Sequence, residues 1–128
     1  MVLVAQLAGA LLGILAVVFG AFGAHLFKKT FTVEQLNSFE TGVKYQMYHA
    51  LVLLMLSFNL NLDTALERNM IYCFLLGILL FSFSIYGLCI SASKGKKLKI
   101  LGPVTPLGGL FLVIGWSLLF FYFLKNWI

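Results

Sequence analysis

Four apolar segments alternate with short polar stretches along this chain. Residues 3–25, 70–93 and 100–124 contain no Asp, Glu, Lys or Arg, and residues 45–62 form a shorter apolar run that follows several charged residues. A helix of about 20 apolar residues crosses the hydrocarbon core of a bilayer. The pattern therefore predicts an all-α fold, an integral membrane four-helix bundle, in which residues 1–128 form a single transmembrane domain.

The stretch before the second apolar run has a helical pattern of its own. Thr32 and Gln35 have the spacing of a capping box, in which each side chain bonds to the backbone N–H of the other residue. Leu36, Phe39 and Val43 then recur at helical spacing. We expect residues 33–44 to form an interfacial amphipathic helical segment that leads into the second span.

Small residues recur along one face of the first span at intervals of three or four, and they include a Gly-x-x-x-Gly sequence. In lipid, close backbone approach through small residues is a main source of helix association. We therefore predict that the first span is the central helix of the bundle. Glycines in three of the spans are predicted to mediate helix packing: Gly9, Gly13, Gly20, Gly77, Gly108 and Gly115.

Composition excludes a soluble domain. Of the 128 residues, 62% are hydrophobic and only 10% are charged, and the mean hydropathy is +1.03. A soluble protein of this size has too much surface for its volume to bury that much apolar area. The net charge of +5 comes from residues that flank the apolar spans. We therefore interpret it as a topology signal and expect no nucleic-acid partner.

The basic residues are distributed unevenly between the two sides of the predicted bundle. The side that contains the loops after spans one and three has seven lysines, whereas the other side has only Arg68 and Lys125. The positive-inside rule then predicts a multi-pass plasma-membrane protein with both termini outside and the Lys-rich loops in the cytoplasm. Four lysines of the second such loop are predicted to contact anionic lipid: Lys94, Lys96, Lys97 and Lys99.

Polar residues cluster at the ends of the spans that lie on the Lys-rich side. Gly42, Tyr45, Gln46 and His49 share one helical face, and we expect His49 to lie roughly one turn inside the membrane. There it needs a partner, for which Tyr86, His25, Thr105 or a backbone carbonyl near Pro106 are the candidates. The full set of candidate ligand or network residues is His25, Glu40, Lys44, Tyr45, Gln46, His49, Tyr86 and Thr105.

Two interpretations of this polar face stay open: an interhelical hydrogen-bond network, or a ligand or proton site. No metal site, cofactor or catalytic residue is predicted, because no span carries an Asp or Glu and no Ser–His pair has a recognisable spacing. A haem protein is a weaker hypothesis, based on two histidines, His25 and His49, on adjacent helices at similar depth.

Four sequence blocks resemble the YgdD-like family of small membrane proteins, the domain-of-unknown-function 423 group. The blocks are Gly20-Ala21-Phe22-Gly23-Ala24-His25; Thr41-Gly42-Val43 with Tyr45-Gln46 and His49-Ala50-Leu51; Phe81-Ser82 with Tyr86; and Thr105-Pro106-Leu107-Gly108-Gly109 with Gly115-Trp116. The resemblance implies a bacterial integral membrane protein of four helices. It implies no established activity and no catalytic residue.

These observations favour a non-enzymatic membrane protein that binds lipid or a partner membrane protein through a polar face in the cytoplasmic leaflet. The alternative is a small transporter or channel that uses the same face as a substrate or proton site. Because four short helices enclose little space, that alternative requires a homo-oligomer. A proton relay across the bilayer needs ionisable groups at more than one depth, and the spans offer too few of them to support one.

Overall fold

The computed structural model describes all 128 residues, which form four helices and no strand. The helices are α1 (Val2–Leu26), α2 (Val33–Asn59), α3 (Ala65–Ser93) and α4 (Val104–Trp127), with a 3₁₀ turn at Lys99–Leu101 before α4. By length and composition, α1, α3 and α4 with its preceding turn are apolar enough to cross a membrane, whereas α2 is not among these helices.

Helix α2 combines two predicted segments, the interfacial segment 33–44 and the apolar run 45–62. The capping box at its start is confirmed, because Thr32 N–H donates to Gln35 Oε1 over 2.9 Å and Gln35 N–H donates to Thr32 Oγ1 over 3.1 Å. One uninterrupted helix then runs to Asn59, three residues before the predicted end at residue 62. Beyond it, Leu62 adopts a left-handed φ of 58° and buries its side chain.

Helix α3 begins at Ala65, whereas the sequence pattern placed its start at residue 70. The reason is a second capping box, Thr64 with Glu67. The Glu67 carboxylate accepts hydrogen bonds from the N–H groups of Asp63 (2.9 Å) and Thr64 (3.0 Å) and is almost entirely buried. Charged residues that suggested a loop are therefore the first turn of the helix.

Helix α4 begins at Val104 and ends at Trp127, so it lies three to four residues further along the chain than the predicted span 100–124. Pro103 precedes the helix and Pro106 lies in its first turn, where the missing N–H has no intrahelical acceptor to lose.

Each helix packs mainly against its neighbours in the sequence: α1 against α2, α2 against α3, and α3 against α4. The prediction that α1 is the central helix is therefore wrong. Ala5, Gly9 and Ala16 are buried, and Gly9 lies against Ala50 and Leu54 of α2. These small residues pack against α2 alone. Helix α1 therefore lies at the edge of the assembly, and α2 and α3 lie in the middle.

The core has two parts. A cluster of 13 buried residues extends through all four helices and contains Leu53, Met70, Ile71, Phe74 and Leu112. A smaller cluster of five residues, Phe31, Phe39, Ile85, Tyr86 and Cys89, joins the start of α2 to the end of α3. Both α1 and α3 contain a π-type turn, at Phe19–Gly23 and at Leu79–Phe83.

Candidate functional site

His49 links α2 to α4. Its Nδ1 lies 2.7 Å from the Tyr45 carbonyl oxygen, and its Nε2 lies 3.1 Å from Trp116 Nε1. A carbonyl can only accept and an indole N–H can only donate, so Nδ1 carries the proton and Nε2 accepts. The imidazole is therefore neutral in this arrangement, and both of its nitrogens are occupied.

Gln46 links three helices. Its side-chain nitrogen donates to the Leu12 carbonyl of α1 over 2.8 Å, and its side-chain oxygen accepts from the Tyr86 hydroxyl of α3 over 2.6 Å. The Gln46 side chain is fully buried. Nearby, Ser82 in the π-type turn of α3 donates to the Gly42 carbonyl over 2.7 Å.

The link between His49 and Trp116 lies near the middle of both helices that it joins. His49 is 16 residues after Val33 and 10 before Asn59, and Trp116 is 12 residues after Val104 and 11 before Trp127. At about 1.5 Å per residue, each side chain is at least about 15 Å from either end of its helix. The expectation that His49 lies about one turn inside the membrane stays a prediction, because it was counted from the start of the apolar run at residue 45 and not from the start of the helix at Val33.

The partners proposed for His49 are wrong, because its ring nitrogens bond to the Tyr45 carbonyl and the Trp116 indole. Tyr86 bonds to Gln46 instead. Thr105 Oγ1 lies 2.5 Å from Ser84 Oγ, and this contact joins α3 to the first turn of α4. His25 is exposed at the end of α1 and makes no side-chain hydrogen bond. Gly23, two residues before it, lies against Phe39, which precedes His49 by ten residues on α2, so the two histidines do not share a depth from which they could ligate one haem.

The side chains of the remaining predicted residues take no part in the His49 and Gln46 links, to which Tyr45 contributes only its backbone carbonyl. Glu40 and Lys44 form an exposed i, i+4 ion pair, with 3.7 Å between carboxylate and ammonium. Tyr45 is partly exposed, and its ring lies 4.8 Å from that of Phe81. The structure thus brings Gln46 and Tyr86 together directly, and it leaves Glu40, Lys44, His25 and Thr105 toward the end of the helices nearest the Lys-rich loops.

Three residues whose side chains bond across helices were missed as candidates: Trp116, Ser82 and Ser84. A signal for Trp116 was available, since a tryptophan in the middle of a span carries an indole N–H that needs an acceptor in lipid. Serines can bond back to their own helix, as Ser84 does to the Phe81 carbonyl over 2.9 Å. Their sequence positions therefore do not indicate an interhelical contact.

Five of the six glycines proposed for packing lie against another helix. A Cβ on Gly108 would lie 2.2 Å from the Phe81 nitrogen, and one on Gly77 would lie 2.5 Å from a Leu112 side-chain carbon. Cβ atoms on Gly9, Gly20 and Gly115 would meet neighbouring side chains at 2.9–3.2 Å. The exception is Gly13, where an added Cβ would meet nothing within 4 Å. Its assignment to packing is wrong because the neighbouring Leu12 faces α2 in its place.

A polar cleft of about 960 Å³ lies between the start of α2, the end of α3 and the loop that leads into α4. Four of its 14 lining residues are hydrophobic, namely Ile85, Leu88, Cys89 and Ala92. Most of the others carry hydroxyl, amide or charged side chains: Thr32, Glu34, Gln35, Ser38, Thr41, Lys97, Lys99 and Thr105. Of the four loop lysines proposed to contact lipid, only Lys97 and Lys99 line this cleft.

An aromatic cavity of about 470 Å³ lies on the other side of the α2–α3 contact, beside the end of α1. Aromatic rings from three helices form most of its wall: Phe19, Phe22, Phe27, Phe39 and Tyr86. Among the lining residues, His25 is the one polar side chain without a hydrogen bond, since the Tyr86 hydroxyl is bonded to Gln46. No three His, Cys, Asp or Glu side chains lie together as a metal site would require.

Long apolar helices joined by buried polar contacts define a multi-helix membrane protein. The model of a family described as "Protein of unknown function (DUF423)" matches residues 19–109, so the chain belongs to this family. The resemblance found in the sequence blocks is confirmed.

Relatives of this chain share the name UPF0382 membrane protein. One from Haemophilus influenzae is 36% identical over 107 residues, which cover 84% of this chain and 82% of the relative. YwdK of Bacillus subtilis is 37% identical over 113 residues, 87% of this chain and 88% of the relative. A Schizosaccharomyces pombe relative is 38% identical over 109 residues, 84% of this chain and 91% of the relative. These names state a membrane protein and no activity.

No solved structure matches this chain.

Proposed function

We propose that this protein is a non-enzymatic integral membrane protein that binds the head group of an anionic lipid in the polar cleft. The observation that carries the proposal is the cleft's lining. Lys97 and Lys99 supply two ammonium groups against one carboxylate, that of Glu34. Several hydroxyl groups surround them, and ammonium and hydroxyl donors are suited to the oxygens of a phosphate.

The orientation predicted from the lysine bias supports the same proposal. We take α2 to cross a bacterial plasma membrane together with the three more apolar helices. The lysine bias then places both termini outside and the Lys-rich loops in the cytoplasm. The polar cleft then opens at the cytoplasmic surface. Anionic lipids give that surface a negative potential, which attracts basic segments.

The alternative is a small oligomeric transporter or channel that uses Gln46, His49 and Tyr86 as its substrate or proton site. It has weaker support, because these three side chains already bond to each other, to backbone carbonyls or to Trp116. A substrate would have to replace those bonds. A partner membrane protein bound at the polar cleft would use the same groups as the lipid head group.

The proposal is tested by native mass spectrometry of the purified protein, with retained phosphatidylglycerol compared with retained phosphatidylcholine. We expect the wild type to retain phosphatidylglycerol preferentially. Replacement of both cleft lysines, Lys97→Ala with Lys99→Ala, should weaken that retention by up to about thirtyfold, since each lysine near a lipid surface contributes about 1 kcal/mol.

The matched control is the pair Lys94→Ala and Lys96→Ala, which removes the same charge from the same loop but not from the cleft lining. Retention in this variant should stay close to that of the wild type. Equal losses in both variants would indicate diffuse attraction to the loop and contradict a site in the cleft. Equal retention of the two lipids by the wild type would reject the proposal altogether.

A further inference from the structure

The aromatic cavity is separate from the polar cleft and has a different chemical character. It lies between the end of α1 and the packed pair α2–α3, whereas the cleft lies on the side of the α4 loop. Its volume of about 470 Å³ falls in the range of small-molecule sites, which is about 300–1,000 Å³. Eight of its ten lining residues are hydrophobic.

Its lining favours a hydrocarbon over water. A water molecule needs two or more polar partners, and the walls formed by Phe19, Phe27 and Phe39 offer none. Phe22 and Leu26 line the cavity and are also highly exposed. In a membrane these two residues therefore mark an opening through which an acyl chain can enter.

The charges near the opening favour an anionic end group on that chain. His25 lines the cavity with an unbonded imidazole, and the exposed lysines Lys28 and Lys29 directly follow the lining residue Phe27. The carboxylates of the following segment do not line this cavity: Glu40 pairs with Lys44, and Glu34 lines the polar cleft. The surroundings of the opening are thus basic.

We propose that the aromatic cavity binds a long-chain fatty acid. Its chain lies among the phenylalanine rings, and its carboxylate lies near His25, Lys28 and Lys29. This site shares no lining residue with the polar cleft. A result that rejects the lipid head-group proposal therefore does not reject this one.

Gly23 keeps the cavity open. A Cβ at this position would lie 3.0 Å from two ring carbons of Phe39, so a larger side chain has to enter the cavity or displace that ring. Gly13 lies on the same helix with no atom within 4 Å of an added Cβ. Gly23→Leu should therefore fill the cavity, whereas Gly13→Leu places the same side chain on the same helix outside the cavity.

The test is photocrosslinking of the full-length protein in nanodiscs with a diazirine analogue of palmitate, followed by mass spectrometry of the labelled peptides. We expect adducts concentrated in residues 19–27 and at Phe39, and we expect excess palmitate to compete with them. Gly23→Leu should lower this labelling about tenfold or more, while Gly13→Leu should leave it unchanged. Adducts spread evenly over lipid-facing helices without competition would overturn the proposal.

A second comparison tests the carboxylate and stays informative if Gly23→Leu fails to fold. The wild type should be labelled several times more strongly by the palmitate analogue than by the corresponding fatty alcohol. The variant Lys28→Ala with Lys29→Ala should lose that difference, since the attraction between its basic residues and an anion is reduced. Equal labelling of the wild type by both probes would overturn the assignment of a fatty acid.

Discussion

Backbone carbonyls are the main partners of the polar side chains buried between these helices. Gln46 donates to Leu12, Ser82 donates to Gly42 and His49 donates to Tyr45. No buried side-chain nitrogen or oxygen lacks a partner. In a bilayer core no water is available to satisfy such groups, so each unpaired one would cost several kcal/mol.

The bond between Trp116 and His49 should contribute measurably to stability. Trp116→Phe retains an aromatic ring beside Phe74, but it leaves His49 Nε2 without a donor. We expect the free energy of unfolding in detergent to fall by about 1 kcal/mol, a typical value for a polar contact between membrane helices. Chemical denaturation monitored by circular dichroism measures the change.

The second tryptophan provides the control for that measurement. Trp127 is 90% exposed and makes no side-chain hydrogen bond, so Trp127→Phe should leave the stability unchanged. If Trp116→Phe were equally neutral, the His49 contact would not hold α2 to α4. Its residues would then be better candidates for a substrate or proton site.

Close backbone contact determines how the helices fit together. Gly108 of α4 lies against the Leu80–Phe81 backbone within the π-type turn of α3. The adjacent bond between Ser84 and Thr105 joins the same two helices. The start of α4 and the π-type turn of α3 therefore form one packed unit.

Gly108→Ala should disrupt that unit severely. The added Cβ would lie 2.2 Å from the Phe81 nitrogen, and a backbone atom cannot move aside as a flexible side chain can. We expect a loss of about 3 kcal/mol, the upper end of the usual range for overpacking, measured by thermal unfolding in detergent. Gly109→Ala is the control, because its Cβ would meet Phe81 at an ordinary 3.8 Å; equal effects of the two would show that the backbone contact is unimportant.

The whole molecule has an asymmetric distribution of polar groups. The polar cleft, the aromatic cavity and seven lysines all lie toward one end of the helices. At the other end, the short connection between α2 and α3 is shaped by the buried capping carboxylate of Glu67. Both proposed binding sites thus lie on the side for which the lysine bias indicates a cytoplasmic location.

Single cysteines can test this orientation. Thr30→Cys and Asn61→Cys place exposed thiols in the two kinds of loop, in a background in which Cys73 and Cys89 are replaced by alanine. A membrane-impermeant maleimide should label the residue 61 thiol in intact cells, and the residue 30 thiol only after permeabilisation. The reverse pattern would place both proposed sites outside the cell.

Hydropathy, charge and local pattern determined much of this protein before any tertiary contact was known. They indicated a membrane protein of four helices, the capping box at Thr32 and the need of His49 for a partner. These properties depend on residues within a few positions of each other, or on the preference of apolar side chains for lipid. Local chemistry is sufficient for them.

Only the tertiary structure decided which polar groups meet and where the helices lie. It paired His49 with Trp116, placed that link near mid-helix, moved α1 to the edge and separated a polar cleft from an aromatic cavity. Such contacts depend on the rotation and axial shift of each helix relative to its neighbours. Those are set by close approaches between distant residues, as between Gly108 and Phe81, which periodicity along one helix does not encode.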